Sequence, residues 1–209
     1  MASLVVPLAS RPLGELLYPW APAWQEAPQV VVPLAPVPLE GQTSAYVRDV
    51  WAHRPYGQTP EVELRALHDG QRLALQLSWL APQRRDLLDD DDVFLDAACV
   101  MFAMREDTPI SMGSPQRPVR GWLWRPDWPQ PREVRATGPG TSQRGPGDGL
   151  EARASWQEGR WTVVMAGPLP QERLLAVAIW RGADMERAGL KAYSPCWLPL
   201  ELRREEGQA

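Results

Sequence analysis

Lysine is almost missing from this chain. Of the 22 basic residues among 209, 21 are Arg and one, Lys191, is Lys. An Arg side chain stays protonated under any protein condition and offers no nitrogen lone pair, whereas a Lys amine does so once a dry environment lowers its pKa. Schiff-base chemistry, general base work and metal ligation are therefore open to Lys and closed to Arg. The count alone leaves two readings. Either a compositional Arg bias spared one solvated Lys, or position 191 needs an amine.

Other scarcities exclude whole classes of protein. The two Cys, Cys99 and Cys196, lie far apart, which rules out a CxxC redox pair, an iron–sulfur cluster or a Cys-rich zinc site within the chain. One disulfide or two buried free thiols remain open. No CxxCH is present for covalent haem attachment. The formal charge of −4 leaves no electrostatic footprint for nucleic acid or an anionic membrane. No apolar run reaches the roughly 18 residues that a bilayer span requires, so no transmembrane segment is expected. The N-terminus lacks a basic n-region and an apolar h-region, so no signal peptide is expected. The protein then either stays in the cytoplasm or leaves it folded beside a signal-bearing partner. A nucleophile elbow, an HExxH, a phosphate loop and a cooperating Cys/His pair are all lacking, which argues against an independent enzyme.

Proline and apolar residues are abundant. The 23 Pro and 16 Gly with 44% hydrophobic residues describe many short segments around one core. Residues 1–45 are Pro-rich and suit extended edge segments. Residues 61–68 and 71–79 alternate around Asp69-Gly70, a strong hairpin signal. In the second of these, Leu73, Leu75, Leu77 and Trp79 share a face. A run of four Asp (89–92) reads as a solvated loop, since EF-hand ligands alternate and need a Gly. An apolar strand over 93–104, a loop over 105–118 and a strand over 119–125 follow. Residues 137–149 read as a mobile loop. A second hairpin turns at Glu158-Gly159, 174–180 is a buried strand, 181–190 an irregular loop, and 192–202 closes the sheet. Nine or ten short strands, no convincing helix and no domain break predict an all-β, single-domain antiparallel β-sandwich over 1–209.

Three segments carry chemistry. The first reads Phe94-Leu-Asp-Ala-Ala-Cys-Val-Met-Phe102, and the second Met112-Gly-Ser-Pro-Gln-Arg-Pro-Val119 leading into Trp122-Leu-Trp124. The third runs from Trp180-Arg-Gly182 to Glu186-Arg-Ala-Gly-Leu-Lys191-Ala-Tyr-Ser194. In order and spacing the chain resembles the haem b (γ) subunits of the ethylbenzene dehydrogenase, dimethylsulfide dehydrogenase, selenate reductase and chlorate reductase type of molybdoenzyme. The match runs from about residue 61 to the C-terminus, while residues 1–45 match poorly. Met112-Gly-Ser-Pro also departs from the pattern, in which an acidic residue often follows the Gly. The resemblance implies a sandwich holding one non-covalent, six-coordinate haem b between a Met and a Lys. By that analogy Met112 and Lys191 are the axial ligands, with Met101 in reserve. The implied partners are an iron–sulfur (β) subunit, a molybdopterin catalytic (α) subunit and a soluble cytochrome or other carrier. The implied place is the periplasm, reached with a signal-bearing partner.

Rival readings remain open at this point. Met101 and Met104 also suit packing, Met165 and Met185 match nothing, and the Trp pairs 122/124 and 156/161 suit the core. His68 reads as a surface strand end and His53 as a loop residue ranked third as a ligand. A carbohydrate-binding sandwich without haem is the alternative function.

Overall fold

The computed structural model describes residues 3–88 and 94–203, so the Asp run at 89–92 lies outside the described residues. Among the described residues fourteen strands are formed: β1 (Leu4–Val6), β2 (Val30–Pro33), β3 (Ala35–Pro36), β4 (Glu61–His68), β5 (Arg72–Leu80), β6 (Ala97–Ala103), β7 (Val119–Trp124), β8 (Arg132–Ala136), β9 (Gln143–Arg144), β10 (Glu151–Gln157), β11 (Arg160–Pro168), β12 (Leu174–Trp180), β13 (Ala192–Tyr193) and β14 (Leu198–Leu202). Sheet I has the order β1-β14-β12-β6-β7-β8-β9, with β13 beside β12 and β3 beside β13; sheet II has the order β10-β11-β5-β4-β2. All pairs are antiparallel except β1 with β14. The expected β-sandwich is therefore the fold.

Alternation drives this layering. Leu73, Leu75, Leu77 and Trp79 share the inner face of sheet II, as expected, and meet Ala98, Val100, Phe102, Trp122, Trp124, Leu175, Val177 and Ile179 from sheet I. Trp124 stands edge-on to Trp79 and Trp161 at centroid distances of 6.2 and 5.2 Å, the geometry that aromatic quadrupoles favour. Both hairpins form where the turn residues placed them. Asp69 Oδ1 accepts the N–H groups of Gln71 and Arg72, and Glu158 and Gly159 both take positive φ, 49° and 75°. Two adjacent left-handed residues match the twist of the strands they join.

Several expectations are corrected. Helices do occur: α1 (Leu13–Leu16), α2 (Ala23–Glu26) and α3 (Ala45–Trp51), the last capped by the Ser44 hydroxyl, which accepts from Val47 N–H. Their apolar residues dock on existing surfaces, which rescues turns too short to be stable alone. The Pro-rich N-terminal stretch is thus only partly extended, giving β1–β3 as well as α1 and α2. Residues 137–149 include β9, and Gly138 and Gly147 are buried. The irregular loop after β12 begins with a 3₁₀ turn, Gly182–Asp184. His68 does end a strand, but it is buried and its Nε2 lies 2.8 Å from the Arg203 carbonyl. Cys99 is buried and Cys196 exposed, and both are free thiols.

Candidate functional site

The chemistry-bearing residues gather on the outer face of sheet I. Because Ala98, Val100 and Phe102 point into the sandwich, Cys99, Met101 and Ala103 point out. The neighbouring strands add Leu174, Ala176 and Ala178 from β12, Val119 from β7 and Ala136 from β8. Most of these side chains are small, so the floor is flat and low. Two loops roof it, one carrying Met112 and the other Lys191.

Residues 105–118 form the first loop, with Ile110 and Met112 packed on the floor. Met112 has φ +80°, a conformation that costs a non-Gly residue on the order of 1–3 kcal/mol and persists only where the surroundings enforce it. They do so here. The Met112 carbonyl accepts from Gly138 N–H at 3.0 Å, and Gly113 N–H donates to the Pro109 carbonyl at 2.8 Å. Gly113 must be Gly, since at φ +74° a Cβ would stand 2.5 Å from the Arg117 carbonyl oxygen. At the outer rim, Arg105 and Arg117 both pair with Asp107, holding its carboxyl below the usual range. Trp197 pins the loop to the sheet, its Nε1–H donating to the Thr108 carbonyl at 2.8 Å.

Lys191 ends the second loop. It is 9% exposed, and its Nζ lies 4.8 Å from the centroid of the Trp180 ring. Among the described residues no carboxylate or carbonyl pairs with this nitrogen. Burial therefore pulls its pKa down, opposed only by the adjacent Cys99. Burial pushes that thiol up to about 12, so at neutral pH it stays protonated and lends the amine no countercharge. An unpaired ammonium cannot be held cheaply in such a place. Burial thus shifts the balance toward the neutral amine, the form with a free lone pair.

Two buried carboxylates hold the Lys191 loop. Asp96 Oδ1 accepts from Gly182 N–H at 2.9 Å, while Oδ2 accepts from Arg85 N–H at 2.9 Å and Trp161 Nε1–H at 2.8 Å. Glu186 accepts from Arg181 N–H at 2.8 Å and from the N–H groups of Gly57 and Gln58. Burial raises both carboxyls against these donors, Glu186 to about 7. Trp180 Nε1–H donates to the Ala188 carbonyl at 3.0 Å, and Gln42 Nε2–H to the Gly189 carbonyl at 2.9 Å. Asp96 and Glu186 stand in the quoted motifs, yet neither was a sequence-level candidate for the site. Their partners lie 86 and 129 residues away, a relation no local pattern carries.

The structure thus brings Lys191, Met112 and Met101 to one face. Met101 is 3% exposed in the floor, and Met112 comes from the roof. Met165 is in the sandwich core and Met185 is exposed. His53 is exposed beyond α3 and His68 belongs to sheet II, so neither joins the cluster. A thioether and a neutral amine are soft and borderline donors. No group of three or more His, Cys, Asp or Glu among the described residues could hold a bare ion. A metal held here would have to arrive with most of its coordination positions already filled.

Fold and site define the class: an all-β sandwich in which one outer face, roofed by loops, presents donor atoms. Solved structures of the same fold include a family 9 carbohydrate binding module from Caldicellulosiruptor kristjanssonii in complex with glucose (TM-score 0.54, 9% identity, covering 99% of this chain and 98% of that one). A Bacteroides uniformis protein described as carbohydrate-binding aligns likewise (TM-score 0.58, 12% identity, 97% and 99%). At such identity the likeness concerns the fold alone.

Sequence relatives are more particular. The chain is 31% identical over 190 residues to a Haloferax mediterranei protein described as a respiratory nitrate reductase heme subunit, covering 84% of this chain and 65% of that protein. It is 29% identical over 160 residues to dimethylsulfide dehydrogenase subunit gamma of Rhodovulum sulfidophilum, covering 66% and 60%. It is 27% identical over 215 residues to chlorate reductase subunit gamma of Ideonella dechloratans, covering 96% and 86%. The chain spans just under two thirds of the first two relatives. No family model matches it. It is a homologue of these heme and gamma subunits, the type that its motifs resemble.

Proposed function

We propose that this protein is a non-catalytic electron-transfer subunit that carries one haem b on the outer face of sheet I. Lys191 and Met112 serve as its axial ligands. The observation that carries the reading is the chain's single Lys, buried on that face without an anionic partner among the described residues. The donor set suits haem, because a porphyrin fills the equatorial positions for which this face has no residues. When bound, the haem supplies a one-electron relay whose potential a Met ligand raises. The chain's own residues do the rest. Asp96 and Glu186 fix the loop that presents the amine, Trp180 and Trp197 tie both loops down, and the apolar floor excludes water. With both axial positions taken by side chains, the site is built for relay rather than for turnover of a substrate.

The partners are an iron–sulfur subunit and a molybdopterin catalytic subunit, with a soluble cytochrome or other carrier outside the complex. The place of work is the periplasm, reached with a signal-bearing partner. A carbohydrate-binding function is not favoured, because the carbohydrate-binding neighbours share 9–12% identity and the sequence relatives are heme and gamma subunits.

Absorption and electron paramagnetic resonance spectra of the haem-loaded protein, oxidised and dithionite-reduced, test the reading. The expected result is a low-spin six-coordinate haem that Lys191→Arg converts to another coordination state with the fold intact. An unchanged spectrum in that variant sinks the Lys assignment. Met112→Leu should alter the spectrum and Met101→Leu leave it; the reverse outcome moves the thioether to position 101.

A further inference from the structure

The free edge of the same face carries an arrangement that the axial donors do not use. Strand register runs one row across sheet I: Ala178 opposite Cys99, Cys99 opposite Leu123, and Leu123 opposite Arg132. Paired residues share a side, so Arg132 borders the floor two strands, or about 10 Å, from Cys99. Arg144 pairs with Val134, which shares a side with Arg132 by alternation along β8. The guanidinium carbons of Arg132 and Arg144 lie over the Trp128 ring, at 4.4 and 5.7 Å from its centroid, and that of Arg125 joins them at 4.9 Å. Arg125 is neutralised by Asp127 through contacts of 2.9 and 2.7 Å. Among the described residues Arg132 and Arg144 have no carboxylate partner. A chain of net charge −4 thus holds two unneutralised cations side by side on one ring. Beside them is a cavity of about 330 Å³ lined by Pro129, Gln130, Arg132, Gly145, Pro146 and Gly147.

A planar guanidinium suits bidentate capture of a carboxylate, and cation–π contact with an indole holds it in place before the anion arrives. We propose that Arg132 and Arg144 bind the propionate carboxylates at the rim of the haem. This inference rests on the haem reading above. A porphyrin carries both carboxylates on one edge, so a ring seated over Cys99, Ala176 and Ala178 can turn that edge toward the open side of the sheet. The arginines then set the in-plane orientation of the ring, which two axial donors alone leave free to rotate.

The test is titration of iron protoporphyrin IX and of its dimethyl ester into the full chain and into Arg132→Gln, Arg144→Gln and the double variant, with melting curves to confirm the fold. Arg135→Gln is the control, since Arg135 is paired with Glu133 and faces the opposite side of β8. Each single variant should weaken haem binding about tenfold and the double up to about a hundredfold. The ester, which has no charged rim, should bind the native and double-variant chains equally. Haem affinity that is unchanged in the double variant, or an ester affinity that falls in parallel, overturns the assignment. The first result would leave the arginines to acidic groups of a partner protein. If the native chain binds neither porphyrin, the haem reading fails and this inference with it. If haem binds with a Lys191-dependent spectrum in all arginine variants alike, this inference alone fails.

Discussion

The two outer faces of the sandwich have been finished in opposite ways. On sheet II, α1 and α2 press Leu13, Leu16, Leu17 and Trp24 onto Leu67, Ala74, Val164 and Ala166. Trp24 also donates its Nε1–H to the Leu16 carbonyl at 2.8 Å. Large side chains of the protein fill that part of the face. On sheet I half of the floor is Ala, with Cys99, Met101, Val119 and Leu174, the covering is irregular loop, and a titratable amine lies within it. The first face is closed by its own sequence. The second spends small residues, a strained Met and an unpaired Lys on a surface that larger apolar residues would stabilise better, and such local inconsistency marks function rather than packing.

Breaking the closed face should show the largest effect on stability. Trp24→Ala empties the space beneath α2 and should cost about 3–5 kcal/mol, read as a lowered denaturation midpoint, with the spectrum of bound haem retained. On the open face the sign reverses. Lys191→Met in the haem-free protein keeps the volume and removes the cost of a buried amine, so stability should rise by about 1–3 kcal/mol while haem ligation by the amine is lost. The folded-state pKa of Lys191 lies below its unfolded value, so the native haem-free chain binds fewer protons than its unfolded form. Its stability should therefore climb as pH rises toward 10.5, and the variant should lack that slope. A loss of stability in Lys191→Met would erase the contrast between the faces. An effect of similar size, confined to one pH window, belongs to Glu186. Its carboxyl is raised from 4.5 to about 7, so the folded state holds the proton longer and stability falls as pH climbs through that window. Glu186→Gln should flatten this dependence by roughly 1–3 kcal/mol across it, measured by denaturant melts at pH 4.5 and 7.5.

How much of this was legible in the sequence follows from the range of each signal. Period-two alternation in residues 71–79 and the Asp69-Gly70 and Glu158-Gly159 turns are local, and they placed hairpins, core face and fold class. β8, β9 and α3 went unseen, because they are short segments that gain meaning only from the strands and surfaces they dock on. His68 was expected at the surface because nothing near it in sequence shows that residue 203 folds back over its ring. Lys191 stood out because its rarity coincided with its place in a segment that resembles the haem b subunits. That Met101 and Met112 face the same floor, one from below and one from above, depends on a loop crossing a sheet, which spacing does not encode. The roles of Asp96, Glu186, Trp180 and Trp197 lie entirely in contacts between loops and distant strands.

Asp96 carries a consequence for maturation. Its three donors come from the segment before β6, from β11 and from the turn after β12. The turn that leads to Lys191 therefore cannot settle until strands far apart in the chain have assembled, and contacts of such long range form late. A nascent polypeptide has no competent amine to offer. If Lys191 ligates haem as proposed, loading follows folding, and an incomplete chain does not sequester the cofactor.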